Sequence, residues 1–137
     1  MLNGGKKFSK FQFLAGEGLY RLKADIFYLG NDVIVHLGGP GTHIGAIAFA
    51  EPYRSKKTPT ASISVLSAYK HKDEPILRDG ALRLAKLLKV RVVVVGGVHM
   101  DNASSEDISR LLANSKLLFD KIIDYFKSNL TSVGEGR

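Results

Sequence analysis

The spacing of apolar residues changes once along the chain, and this change limits the possible folds more than any other feature of the sequence. In the first half apolar and polar residues alternate, as over Tyr20–Tyr28, Val33–Leu37 and Ala61–Leu66, which is typical of strands with one buried face. From Leu77 onward apolar residues recur at helical spacing, which is typical of helices that pack by one face. The sequence therefore predicts an α+β fold.

The first half predicts a series of strands joined mainly by short turns. Phe8–Leu14 and Ile44–Ala50 are two further apolar segments, and Gly30-Asn31-Asp32 supplies residues suited to a hairpin turn. A polar loop is expected over Glu51–Thr60. Because consecutive strands with short connections usually pair with each other, we expect an antiparallel β meander.

The second half predicts two long helices around one more strand. Asp73 is placed to cap the first helix, and Ser104 with Asp107 forms a capping-box pattern before the second. Val90–Val95 is a β-branched run that predicts a central strand covered on both faces. The inner face of the last helix is expected to consist of Ile108, Leu111, Leu112, Ser115, Phe119, Ile122 and Phe126. The predicted fold is a mainly antiparallel β-sheet, a meander, packed with two long helices.

Chain length and composition narrow the class of protein. A length of 137 residues suits one packed core, so we expect a single domain over residues 1–137, with residues 1–7 and 131–137 flexible. Apolar runs fall short of the roughly 20 residues of a membrane helix, so a cytoplasmic protein without a membrane partner is expected. The lack of cysteine excludes disulfides, thiolate catalysis and cysteine-ligated zinc, and with one glutamine it favours a thermophile source.

The chain is basic, with 20 Lys and Arg against 13 Asp and Glu and a formal net charge of +7. Such a charge attracts polyanions and phosphate-bearing ligands. The basic residues are spread over several predicted elements instead of clustering on one helix, which is typical of a solvated surface. This distribution disfavours nucleic acid as the partner.

The first candidate site is the glycine-rich loop Gly38–Gly45 between two predicted strands. Glycine lets backbone N–H groups approach an anion closely. The candidate ligand-binding residues here are Gly39, Gly41, Thr42, His43 and Gly45. The loop matches neither a Walker loop nor the dinucleotide fingerprint. Two interpretations remain open, a cradle for phosphate or carboxylate and a wide hairpin turn shaped by Pro40.

The second candidate site follows the predicted central strand and comprises Gly97, His99, Asp101 and Asn102. The carboxyl end of a buried strand, followed by a helix N-terminus, offers N–H donors to a phosphate. His99 and Asp101 lie two residues apart and so share one side of an extended segment, where they form an acid/base pair or two metal ligands. The other interpretation is a hydrogen-bonded loop histidine beside a helix cap.

His71, before the first helix, is a further candidate ligand-binding residue, whereas His36 is expected to be an ordinary strand residue. A complete catalytic set is not visible, because no nucleophile-elbow pattern positions a serine. We therefore assign no catalytic and no metal-binding residue, and the sequence does not establish an enzyme.

Three segments in order resemble a known family. They are His43–Ala48, Ser64–Leu66 leading to His71–Glu74, and Val92–Ser104. Together they resemble the prenylated-flavin chaperone family, LpdD-like, named for a small component of gallate decarboxylase. That family is distantly similar in fold to proteasome assembly chaperones of the 3/4 type, which are small, non-catalytic and dimerise or assemble.

The resemblance implies a non-enzymatic carrier or assembly factor, with prenylated flavin mononucleotide (FMN) as the possible cofactor. Tyr53, Tyr69 and Met100 are then candidates for the apolar walls that a flavin ring needs. The leading hypothesis is a chaperone-like homo-oligomer that binds a ligand or assists the assembly of a partner complex. The alternative is a small hydrolase or metal-dependent enzyme that uses His43, His99 and Asp101.

Overall fold

The computed structural model describes residues 10–54, 58–68 and 74–135, which form six strands and two long helices. In chain order these elements are β1 (Lys10–Ala15), β2 (Leu22–Leu29), β3 (Asp32–Gly38), β4 (Ala46–Arg54), β5 (Pro59–Ser67), α1 (Glu74–Leu88), β6 (Val92–Gly96) and α2 (Ser105–Glu135). One turn of 3-10 helix, Gly18–Tyr20, precedes β2. The predicted α+β class is confirmed.

The strands form one sheet in the order β1-β2-β3-β6-β4-β5. The β-branched run predicted to be a central strand is β6, which pairs in parallel with β3 and antiparallel with β4. The other neighbours are antiparallel, so the sheet is mainly antiparallel as predicted. The meander, however, is interrupted, because β6 separates β3 from β4 and the Gly38–Gly45 segment is not a hairpin turn.

Local sequence explains the first hairpin. In β2 and β3 Leu29 lies opposite Asp32, which leaves Gly30 and Asn31 as a two-residue turn. Gly30 has a φ of +64°, a conformation that glycine adopts without steric cost. The predicted hairpin is therefore confirmed.

Some strand ends differ from the prediction. The predicted polar loop Glu51–Thr60 is much shorter, because β4 continues to Arg54 and β5 begins at Pro59. Pro52 is tolerated in β4 because β6 pairs with β4 only as far as Ala50, so a missing N–H on that side interrupts no ladder. Tyr20 belongs to the 3-10 turn and not to β2.

Both helices lie on the same face of the sheet, which we call the covered face. α2 lies over β1 and β2, α1 lies over β4, β5 and β6, and the helices touch each other. The contact between them is close at Gly80, where a Cβ atom would stand 2.4 Å from the Phe119 ring. The largest fully buried side chains of this core are Phe119, Leu22, Ile26, Leu37, Leu77, Leu84, Leu118 and Ile122.

The last helix is longer than any strand of the sheet. Its 31 residues extend over about 46 Å, whereas the longest strands span roughly 30 Å. Ile108 and Leu112 were predicted to face the core but are 50% and 49% exposed. They lie in the first turns of α2, which contact the 3-10 turn at Tyr20. The backbone of α2 is helical to Glu135.

The opposite face of the sheet, which we call the open face, is not covered by any element among the described residues. The cross-strand register places Phe27, Ile34, Val93 and Phe49 in one row across four strands. A second row contains His36, Val95, Ile47 and Leu66. The expectation that β6 is covered on both faces is therefore wrong for the described part of the protomer, because both helices pack on the same side.

Candidate functional site

Two predicted ligand loops meet at one edge of the sheet. β3 ends at Gly38 and β6 at Gly96, and because these strands are parallel both ends lie at the same edge. β4 begins there, with Ala46 opposite Gly96. Residues 39–45 form the first loop and residues 97–104 the second. We call this region the loop edge.

Backbone contacts hold the two loops together. The His99 N–H donates to the Pro40 carbonyl at 2.9 Å. Gly41 has a φ of +55°, and a Cβ atom there would stand 2.5 Å from the His99 carbonyl oxygen. A larger residue at position 41 would therefore push the loops apart, which explains the glycine at this position.

The loop contact brings two imidazoles side by side. The rings of His43 and His99 are edge to face, with centroids 6.1 Å apart. His43 Nδ1 lies 2.7 Å from the Gly41 carbonyl, and His99 Nε2 lies 2.8 Å from Asp101 Oδ1. Because carbonyl and carboxylate oxygens only accept, these two nitrogens carry the protons. The structure thus brings the two histidine loops together.

Several backbone donors assigned to an anion are used inside the protein. Gly39 N–H donates to Thr42 Oγ1 at 3.1 Å, and the Thr42 hydroxyl donates back to the Gly39 carbonyl at 2.7 Å. Gly45 N–H donates to Gly96 O at 2.8 Å. Gly97 N–H points to the Leu37 carbonyl at 3.4 Å. The glycines of the two loops thus extend the sheet ladder and shape the loops.

The start of α2 is also occupied by the chain itself. Asp107 N–H donates to Ser104 Oγ at 3.0 Å, and Ser104 N–H donates to the Asp107 carboxylate at 2.9 Å, so the predicted capping box is confirmed. Glu106 adds a second carboxylate to this first turn. Two carboxylates make the helix N-terminus a poor place for a phosphate.

Asp107 also ties the 3-10 turn to α2. The Tyr20 hydroxyl donates to Asp107 Oδ1 at 2.5 Å, and the Arg110 guanidinium lies 4.9 Å from the centre of the Tyr20 ring. The hydrogen bond from Tyr20 lowers the pKa of Asp107 and raises the pKa of the Tyr20 phenol. This contact fixes α2 against the chain that enters β2.

The remaining predicted residues are dispersed. Asn102 has a φ of +54° and forms a left-handed turn, which asparagine tolerates well. His36 lies in β3, where it contacts the buried Asp25 at 3.6 Å, as expected of a strand residue. Tyr53 lies near the far end of β4, roughly 20 Å or more from the loop edge by strand length. It therefore cannot line a ligand pocket at that edge. His71, Tyr69 and Asp73, which was predicted to cap α1, lie outside the described residues.

Side chains that could bind a metal ion are not clustered at the loop edge. Within the described ranges, no three His, Asp or Glu side chains are grouped closely enough to hold a metal ion. In the same part of the chain, neither helix combines the length and apolarity that a bilayer crossing requires.

The sequence did not single out a basic cleft beside the first loop. The cleft has a volume of about 430 Å³ and lies between the end of β1, the 3-10 turn and the first loop. Arg21 and Lys23 contribute positive charge, Leu14 and Leu19 contribute apolar surface, and the first loop contributes Gly39, Pro40 and Thr42. The alternation around Leu22 puts Arg21 and Lys23 on the same side of the strand, which was the available signal.

Comparison with known proteins decides the family. The family model described as the prenylated flavin chaperone LpdD-like domain matches residues 16–127. The chain belongs to this family. The matched range includes both loops, the imidazole pair and most of the cleft, and it confirms the resemblance seen in the sequence. A search among curated proteins found no match.

A solved structure shares the fold of this LpdD-like chain. It is described as the crystal structure of a novel chaperone complex for yeast 20S proteasome assembly. The TM-score is 0.59 at 16% identity, and the alignment covers 95% of this chain and 99% of the other. The likeness confirms the predicted proteasome-assembly-chaperone-like fold.

Proposed function

We propose that this chain is a non-enzymatic, chaperone-like protein that works in the cytoplasm as a homo-oligomer and handles prenylated FMN at the loop edge. The observation that carries this proposal is the contact between the His43 and His99 loops at the end of the central strand. The chain's LpdD-like family supports the choice of ligand. A carrier role needs accessible recognition groups, and both imidazoles are at least partly exposed.

The imidazole pair offers a flavin both a ring surface and polar contacts. An edge-to-face pair presents one ring face and one ring edge to a third planar group. Met100, partly buried against the core, adds apolar surface in the second loop. The pocket expected to bind the isoalloxazine ring therefore involves His43, His99 and Met100, without Tyr53.

Native mass spectrometry tests the ligand. Protein purified from cells that produce prenylated FMN should carry one adduct of that mass per chain, and His43→Ala/His99→Ala should lose most of it. Leu112→Ala, on the exposed part of α2, is the control and should retain the adduct. Wild-type protein without any flavin adduct would contradict the cofactor part of the proposal.

The open face supports self-association. A strand with one solvated face normally alternates apolar and polar residues, yet β6 is apolar at Val92, Val93, Val94 and Val95. The helices cover Val92 and Val94 only, whereas Val93 and Val95 lie on the open face. A second copy of the chain, packed sheet against sheet, would give β6 the two covered faces that its sequence indicates.

Light scattering tests the oligomer. The protein should run well above its 15.0 kDa chain mass. Phe49→Lys and Leu66→Lys, at open-face positions 37% and 73% exposed in the protomer, should shift it toward the monomer without unfolding it. Leu112→Lys, which adds the same charge on α2, should leave the mass unchanged. A monomeric wild type at micromolar concentration would contradict the homo-oligomer.

A small hydrolase or metal-dependent enzyme is the second candidate, favoured by the His99–Asp101 hydrogen bond beside His43. It predicts a pH-dependent activity, or a bound divalent ion, that His99→Ala abolishes. Metal analysis without a stoichiometric ion, and flavin binding without turnover, would eliminate it.

The chaperone proposal also allows a protein partner in a larger assembly, which a pull-down with the oligomeric wild type would identify.

A further inference from the structure

The cleft beside the first loop contains positive charge that no described residue neutralises with an ion pair. Among the arginines whose side chains the structure describes, four form ion pairs with carboxylates: Arg78, Arg83, Arg91 and Arg110. Arg21 is the one in that set that does not, and Lys23 forms no ion pair with a described residue either. Because surface arginines here otherwise pair within the chain, the exposed Arg21 and Lys23 indicate an anionic partner from outside.

Geometry places both cations over the same cleft. They flank the buried Leu22 and therefore extend to the same side of β2, with Cα atoms roughly 6.5 Å apart. The nearest carboxylate along this face of β2, Asp25, is buried, accepts a hydrogen bond from Gln12 at 2.8 Å and contacts His36. The described residues that line the cleft include no acid. Two long cationic side chains can thus converge on one doubly charged group.

Four backbone donors of the loop edge are not available to that anionic group. Gly39, Gly45, Gly97 and His99 donate their backbone N–H groups within the protein, and the first turn of α2 is acidic. The cleft also has an apolar part, because Leu14 and Leu19 are 41% and 74% exposed. Its ligand should therefore combine an anionic end with an apolar body.

We propose that this cleft binds the phosphomonoester end of an amphiphilic ligand, with Arg21 and Lys23 neutralising the phosphate and Leu14 and Leu19 contacting the adjacent apolar part. A phosphomonoester carries nearly two negative charges at neutral pH, which matches two cations. The inference rests on the proposed function, since it assigns the phosphate end of the ligand handled at the loop edge to a subsite outside the imidazole pair.

Binding of FMN and riboflavin to the full-length chain tests this assignment, because the two compounds differ only by the phosphate. Calorimetry or flavin fluorescence should show FMN bound about tenfold or more tightly than riboflavin by the wild type. Arg21→Gln/Lys23→Gln should lose this preference, and Arg21→Lys should keep part of it. Inorganic phosphate should compete with FMN and not with riboflavin.

Lys86→Gln/Lys116→Gln is the matched control, since it removes two exposed positive charges from α1 and α2 instead of the cleft. It should retain the preference for FMN. Equal or absent binding of FMN and riboflavin by the wild type would overturn the assignment, as would a preference that survives in Arg21→Gln/Lys23→Gln. Because Arg21 and Lys23 are exposed, circular dichroism should show both double variants folded.

The two proposals fail separately. If Arg21→Gln/Lys23→Gln still carries the prenylated FMN adduct in native mass spectra, the phosphate subsite is wrong while the proposed function stands. If the wild type shows neither adduct nor oligomer, yet prefers FMN through Arg21 and Lys23, the proposed function is wrong and the anion cleft stands.

Discussion

The two faces of the sheet carry apolar side chains of different size. Along β4, Ala46, Ala48 and Ala50 face the helices and are buried, whereas Ile47 and Phe49 alternate with them on the open face. The alanines let α1 approach the sheet closely. The larger side chains on the other face contact no second layer among the described residues. The bulkier apolar side chains of this strand thus lie on its uncovered side.

This difference suggests a separate role for each face, one in the stability of the protomer and the other in its assembly. The covered face stabilises each protomer, because its side chains are buried whether or not another chain is present. In the proposed homo-oligomer, the open face would stabilise only the assembly. Substitutions on the covered face should therefore change the free energy of unfolding at any concentration, and those on the open face should change mainly the number of chains in the assembly.

The largest effect is expected at Phe119, which lies between α1 and α2 and is 2% exposed. Phe119→Ala should lower the free energy of unfolding by about 3–5 kcal/mol, because it removes a buried ring and leaves a cavity. Urea unfolding measures this. Phe49→Ala on the open face is the control and should cost much less in dilute, dissociated protein. Equal costs would mean that the two faces do not differ in role.

Overpacking should give the next largest effect. Ala48 is fully buried beneath α1, so Ala48→Leu should destabilise the protomer by about 1–3 kcal/mol. Ile47→Leu, at the next residue but on the open face, should leave protomer stability nearly unchanged. Thermal unfolding of both variants checks the contrast. An Ala48→Leu variant as stable as the wild type would show that α1 does not lie as close to the sheet as the alanines indicate.

The sequence predicted the elements well because local patterns determine them. The hairpin at Gly30, the capping box of Ser104 and Asp107 and the central position of β6 all follow from residue type and spacing. A period of two shows which residues share a face, but it does not show which face the helices cover. The side of the sheet on which α1 and α2 pack therefore had to come from the structure.

The candidate site, too, could be predicted from the sequence only as far as local patterns determine it. His43 and His99 meet because their loops follow β3 and β6, parallel strands that end at the same edge, and the sequence did not predict this pairing. The Gly39, Gly45 and Gly97 N–H groups donate inside the protein because of how the folded segments contact each other. The spacing of residues along the sequence does not reveal these contacts. Arg21 was overlooked because the alternating pattern marks it only as exposed, whereas its lack of an ion pair with any described residue is a property of the fold.

Neighbouring valines of β6 should give an effect of similar size and a sharper contrast between the two faces. Val94→Thr buries a hydroxyl group on the covered face and should lower protomer stability by about 1–3 kcal/mol. Val93→Thr makes the same chemical change on the open face. It should leave the protomer within about 0.5 kcal/mol of the wild type but shift the equilibrium toward monomer. Sedimentation across a concentration series distinguishes the two, and identical behaviour would contradict a buried open face.

The smallest effect is expected where α2 contacts the 3-10 turn that precedes β2, because this contact depends on hydrogen bonding instead of burial. The Tyr20 hydroxyl bonds to Asp107, which lowers the pKa of that carboxyl below its ordinary value of 3.8. A lowered folded-state pKa stabilises the protein above the ordinary value, and the contribution is lost as pH falls through the lowered one. The pKa of Tyr20 is raised above 10.0, so its contribution is lost instead as pH rises through that raised value.

Tyr28 complicates the alkaline side, because burial also raises the pKa of its phenol. The acid side is therefore the better test. Tyr20→Phe should lower the Tm at neutral pH, and its difference from the wild type should shrink between about pH 5 and about pH 2 as Asp107 becomes protonated. Tyr28→Phe, which leaves Asp107 untouched, should differ from the wild type by a constant amount over that range. A Tyr20→Phe difference that is equally constant would show that the Asp107 carboxylate does not depend on Tyr20.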